Sequence, residues 1–304
     1  MEGARGEQSA SRRGGILAGL AWVAAYGVLF LAATIASAMA LHRLAPGAPK
    51  WLFPVSHGVL WIAGVLLVTW LVRVKLNGAP WAGMALPAPQ LGPLALGFAA
   101  GATLLIVVFA VQHQLGWLNV AGVAPLSTAG PKLALALAPS LGVGLAEELG
   151  FRGYVLQTLG ERMPLWAAAG LSATIFALYH LTLGGFGPGF AMVAICFALT
   201  FTILRFATGS LWFPIGFHAA WDWVQVYLIG VANVGQSGHD PALVRVSQSG
   251  PGLWVGQAPA IEGGLIYSIA ILGALAAAAG YAAWRGRRPP WTRRLDADGR
   301  GLGA

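Results

Sequence analysis

An all-α bundle of membrane-spanning helices is the fold class this sequence predicts, and three observations predict it. Of the 304 residues 57% are hydrophobic, and the mean hydropathy is +0.71. Only 9% are charged, against about a quarter in soluble globular domains. The apolar residues are also gathered into runs of roughly the 20 residues needed to cross a bilayer, with polar breaks between them.

Residues 1–14 form a polar N-terminal tail with Arg5, Arg12 and Arg13, and the apolar run at about 15–41 predicts the first spanning helix. That run is about twice as long as the apolar region of a signal peptide, so it reads as a retained helix. Further runs at about 52–72, 93–112, 133–158, 164–183, 188–208, 210–232 and 261–284 predict seven more. The expectation is eight spans in a single domain, residues 15–284. Pro139 predicts a kink in the fourth, because proline lacks the N–H that a helix interior uses. The segments 77–90 and 116–131 are rich in proline and glycine and have no spanning character. The loop at 233–260 is longer, and its Gly, Ser and Gln content leaves its structure open. Neither a soluble domain nor an internal repeat is visible.

A net charge of +8 raises the question of nucleic acid, but the basic residues lie at segment ends and in the tails. Membrane topology explains them better. With the N-terminus inside, thirteen lysines and arginines fall on the cytoplasmic side, against Arg43, Lys50, Lys132 and Arg245 outside, Arg152 being set apart. That is the bias of cytoplasmic loops. It predicts an inner-membrane protein with both termini cytoplasmic. The basic C-terminal tail at 285–304 would stop the last helix at the anionic leaflet. Cys196 is the only cysteine, which rules out an internal disulfide framework.

Chemistry is concentrated in the fourth run. The segment Glu147-Glu148-Leu149-Gly150-Phe151-Arg152 places two carboxylates and a guanidinium at bilayer depth, where ionisable groups are costly and mark functional sites. Glu148 and Arg152 are four apart, so on a helix they form an ion pair. Glu147, rotated by about 100°, is left for chemistry. In the fifth run Phe176 precedes His180 by one turn. In the seventh, His218 and Asp222 are four apart on one face. Polar side chains in lipid face inward and find one another, so Glu147, His180, His218 and Asp222 are expected in one buried cluster. His42, His57, His113 and His239 lie in loops or near segment ends, and Tyr179, Trp221 and Trp223 read as packing aromatics.

The three motifs Glu147-Glu148-x-x-x-Arg152, Phe176-x-x-x-His180 and His218-x-x-x-Asp222 resemble, in this order, those of the CPBP family of intramembrane proteases. This is the CAAX prenyl endopeptidase and bacteriocin-processing, or Abi, family. The resemblance covers about residues 133–230. It implies peptide-bond hydrolysis within the membrane. Glu147 and His180 would activate a water, His218 would stabilise the oxyanion with Asp222 in support, and Glu148, Arg152 and Phe176 would provide structural support. Members that process prenylated proteins have asparagine where this chain has Asp222, which suits the broader bacterial group. A carboxylate repels an oxyanion, so Asp222 is expected to orient His218 or to stay neutral.

Glu147, His180 and His218 also make a two-histidine, one-carboxylate set of the kind that holds zinc with an open position for water. The resemblance favours a glutamate-type protease without tightly bound metal, and zinc stays the alternative. The implied partner is a membrane-embedded or membrane-associated peptide or protein, lipidated or not, within the lipid bilayer, and not nucleic acid. A non-catalytic immunity or scaffold protein is the main rival reading. A transporter or proton relay is the next, though the helix breaks in paired halves that it would carry are not seen.

Overall fold

The computed structural model describes residues 15–44, 52–182, 188–231, 242–256 and 261–302. The N-terminal tail at 1–14, Lys50 and His239 lie outside the described residues.

All eight apolar runs form helix. The first is α1, Ile16–Leu44, and α2 is Leu52–Trp70, prolonged by a π-helical turn at Leu71–Leu76. Next come α3, Leu91–Gln114, and α4, which runs as Leu126–Glu147, a π-helical segment Glu148–Val155 and a last turn Leu156–Gly160. After them α5 is Leu165–Thr182, α6 is Pro188–Thr208, and α7 is Trp212–Asp222 with a π-helical end at Trp223–Leu228. The last is α8, Leu265–Trp284. Helices satisfy every backbone polar group internally, which is what a lipid environment demands. The chain is a polytopic helical bundle, as expected.

Among the described residues six helices, α1, α2, α3, α4, α6 and α8, are long and apolar enough to cross a membrane. The other two of the eight expected spans differ. The apolar stretch of α5, Leu165–Leu181, is shorter, and the regular part of α7 has 11 residues. In α7 every residue from Pro214 to Asp222 is buried. This helix is surrounded by protein, and it carries the third motif.

Small residues let α7 sit this deep. A Cβ added at Gly101 of α3 would fall 2.5 Å from the Phe217 carbonyl oxygen, and one at Gly144 of α4 would fall 2.8 Å from that of Ile215. Close backbone approach through small residues is how helices pack where the hydrophobic effect gives no drive between them.

The 116–131 linker and the long loop have structure of their own. Strand β1, Leu118–Val123, pairs antiparallel with β2, Val244–Gln248, with Asn119 opposite Ser247 and Val120 opposite Val246, and the register shifts after that. Asn119 Nδ2 donates to Ser249 Oγ at 3.0 Å just beyond the ribbon.

At the other end of the bundle, residues 285–302 fold back on the helices. The N–H groups of Leu165 and Trp166, at the start of α5, donate to the carbonyls of Arg293 and Trp291, both at 2.9 Å. These are donors that a helix N-terminus leaves without intrahelical partners. Leu295 is buried, and its N–H donates to the Gly160 carbonyl at 2.7 Å. Arg73 pairs with Glu161 at 2.8 Å and donates to the Ala297 carbonyl at 2.7 Å. Arg205 donates to the carbonyl oxygens of Gly83 and Arg152 and to Gln157 Oε1. The buried cations at this end are thus paired or hydrogen-bonded, as buried charges must be.

Candidate active site

Glu147 closes the regular part of α4, and Glu148 opens its π-helical segment. The expected ion pair is present, with Arg152 Nη1 3.0 Å from Glu148 Oε1 and both side chains buried. Glu148 does more than the spacing predicts. The same Oε1 lies 2.9 Å from His218 Nδ1, so one carboxylate holds both the guanidinium and the imidazole. A carboxylate accepts only, so Nδ1–H is the donor. His218 Nδ1 is thus held by Glu148, from another helix.

His180 is fixed differently. Its Nδ1 donates to the Phe176 carbonyl at 2.9 Å, one turn back on α5. A carbonyl cannot donate, so this bond sets the tautomer and leaves Nε2 with a lone pair for the site. Phe176 also supports the ion pair. Its ring lies under the Arg152 guanidinium at 4.1 Å and beside the His180 ring at 4.4 Å. The first two motifs are therefore joined by one aromatic ring. His218 is packed edge-on against Phe197 of α6 at 5.2 Å.

These supports converge on Glu147. Its Oε2 lies 3.7 Å from His180 Nε2 and 3.8 Å from His218 Nε2. This oxygen is buried and has no hydrogen-bond partner among the described residues. Both distances are too long for direct hydrogen bonds and short enough for one water to bridge. The expected conjunction of one acid and two imidazoles from three helices is what the packing produces. Asp222 is also buried, one turn beyond His218, and with His180 and His218 it lines a cavity of about 50 Å³ walled by Phe190, Phe197 and Trp221. That is room for a small number of waters.

Among the described residues no group of three His, Cys, Asp or Glu side chains is disposed to hold a metal ion.

One functional candidate escaped the sequence reading. Glu262, just ahead of α8, reaches the same cavity and is buried. Gln225, three residues past Asp222 on α7, donates to Glu262 Oε1 at 3.0 Å. No motif contains either residue. The usable signal was an isolated acid at the head of an otherwise apolar run.

Residues 128–224 match the family model of Rce1-like type II CAAX prenyl endopeptidases. This is the group of membrane proteases that the three motifs resemble. The match takes in Glu147, His180, His218 and Asp222 and spans 97 of the 304 residues. Glu262 lies outside the segment matched to the Rce1-like family, as do α1 to α3 and α8. No curated protein matches the chain.

Proposed function

We propose that this protein is an intramembrane endopeptidase in which Glu147 and His180 activate a water and His218 stabilises the oxyanion. The observation that carries the reading is the position of Glu147 Oε2, 3.7 and 3.8 Å from the facing nitrogens of two histidines and bonded to neither. A water in that gap donates one hydrogen to Glu147 and the other to the bare Nε2 of His180. Transfer of the first proton to Glu147 leaves hydroxide to attack the scissile carbonyl carbon. A positioned general base contributes about 10²–10⁴ in rate.

The carbonyl oxygen becomes an oxyanion, and His218 meets it from Nε2. Because Nδ1–H is held by Glu148, Nε2 donates only in the imidazolium form, in which both nitrogens carry protons. The Glu148 carboxylate at 2.9 Å stabilises that charge. Losing one such donor typically costs about 10²–10³ in turnover. Asp222 assists only as a neutral acid donating its own hydrogen. The water is read as activated without a tightly bound metal.

The substrate class is a membrane-embedded or membrane-associated peptide, and the match to prenyl endopeptidases makes a prenylated CAAX peptide the first probe. We place the protein in the inner membrane with both termini cytoplasmic. Wild-type protein in proteoliposomes is expected to cleave the probe, with Glu147→Gln and His180→Ala each reducing cleavage at least about 100-fold while remaining folded. Unchanged cleavage in both variants would remove the protease reading. Metal analysis of the same preparations separates the two mechanisms: stoichiometric zinc whose chelation abolishes turnover would replace the metal-free one.

A further inference from the structure

Glu262 is the feature of the cavity that the three motifs do not explain. It stands on a short 3₁₀ turn, Ile261–Gly263, ahead of α8. The turn is pressed against the start of α6. A Cβ added at Gly189 would collide with the Gly263 carbonyl oxygen, and one at Gly263 would fall 3.2 Å from the Phe190 backbone nitrogen. Such backbone contact leaves Glu262 little freedom to swing away. Its Oε1 is held by Gln225 at 3.0 Å. Its Oε2 is buried and without a hydrogen-bond partner among the described residues.

A carboxyl oxygen buried without a partner is costly unless a ligand, a water or the substrate completes it. The cavity that Glu262 shares with His180, His218 and Asp222 measures about 50 Å³, so whatever completes it stands beside the two histidines of the site. Peptide hydrolysis leaves one task there unassigned. When the tetrahedral intermediate collapses, the C–N electron pair departs on nitrogen, and an amine leaves only if it is protonated.

We infer that Glu262 is the acid that protonates the departing amine. The inference rests on the endopeptidase reading and extends it. The first water proton goes to Glu147 and the oxygen to the carbonyl carbon. The C–N bond then breaks, nitrogen takes its proton from Glu262 Oε2, and Glu262 becomes a carboxylate. The proton on Glu147 then passes through water to Glu262, which leaves Glu147 a carboxylate and Glu262 an acid again. The products are a carboxylic acid and an amine. Base and acid thereby stand on different elements, Glu147 on α4 and Glu262 on the turn ahead of α8.

The test compares two probes in proteoliposomes of the full chain, a prenylated CAAX peptide and its analogue with a thioester at the scissile position. A thiolate leaves without a proton, so the thioester does not need the acid. Glu262→Gln should lower kcat on the amide about 100-fold and leave the thioester within about threefold, while Glu147→Gln abolishes both. Glu262→Asp, which keeps the acid, should recover part of the amide rate. Equal losses on the two probes, or no loss on the amide, would overturn the assignment. Failure of the wild type on both probes, or full activity of Glu147→Gln, would overturn the endopeptidase reading and take this role with it. Infrared difference spectra at neutral pH give a check that needs no substrate: wild type minus Glu262→Gln should show a carboxylic-acid carbonyl band, and its absence would sink the proposal.

Discussion

Glu148 is the residue on which most of the site leans. Its Oε1 meets Arg152 at 3.0 Å and His218 at 2.9 Å, linking α4 to α7. Removing one member of a buried ion pair costs about 3–5 kcal/mol, because the other charge stays buried without compensation. Glu148→Ala is therefore expected to destabilise the protein by about that amount in mixed-micelle unfolding and to abolish cleavage. A stable variant with wild-type activity would refute this role. The spacing of Glu148 and Arg152 was legible in the sequence, since four residues bring two side chains together on one helix. The second partner was not, because no spacing rule relates residue 148 to residue 218.

Elements place those residues to within fractions of an ångström. Gly144, one turn before Glu148, lets α4 approach α7 so closely that an added Cβ would lie 2.8 Å from the Ile215 carbonyl oxygen and 3.5 Å from His218 Cβ. Overpacking of this kind typically costs about 1–3 kcal/mol. Gly144→Ala should lower stability by about that much and turnover by at least about tenfold, since a 1 Å displacement of a reacting group costs up to about 10²-fold. Measuring kcat beside unfolding in micelles checks both. The apolar runs disclosed eight helices, yet they left hidden that α7 is short and enclosed by protein. Lipid-facing and protein-buried helices are equally apolar. The β-ribbon between 118–123 and 244–248 was hidden too, because its strands are far apart in the chain and short.

Across the whole molecule the ends of the helices are tied by the segment after α8. Residues 291–297 supply carbonyls to Leu165, Trp166, Gln157 and Arg73 and a buried Leu295 to the core. Composition alone made this stretch a basic tail at the lipid surface, and it placed Arg73, Arg162 and Arg205 among the cytoplasmic charges at segment ends. In the folded chain all three are buried. Deleting the chain from 285 onward should expose helix-terminal donors and strip Arg73 of a hydrogen bond, lowering stability by several times the roughly 1 kcal/mol of one hydrogen bond. A truncated protein that unfolds at the wild-type denaturant midpoint would show these contacts to be dispensable.

The sequence by itself determined that the chain spans a membrane as helices, and that an acid and two histidines must be buried together. Both follow from the cost of bringing polar groups into hydrocarbon, a cost that any residue carries with it wherever it stands. Only the tertiary structure decided that Glu148 holds His218, that Glu147 faces a gap of water size, and that Glu262 from beyond the matched segment lines a cavity with His180 and His218. Those facts depend on distances between helices, and it is side-chain volume at contacts such as Gly144 with Ile215, distant in the chain, that sets them.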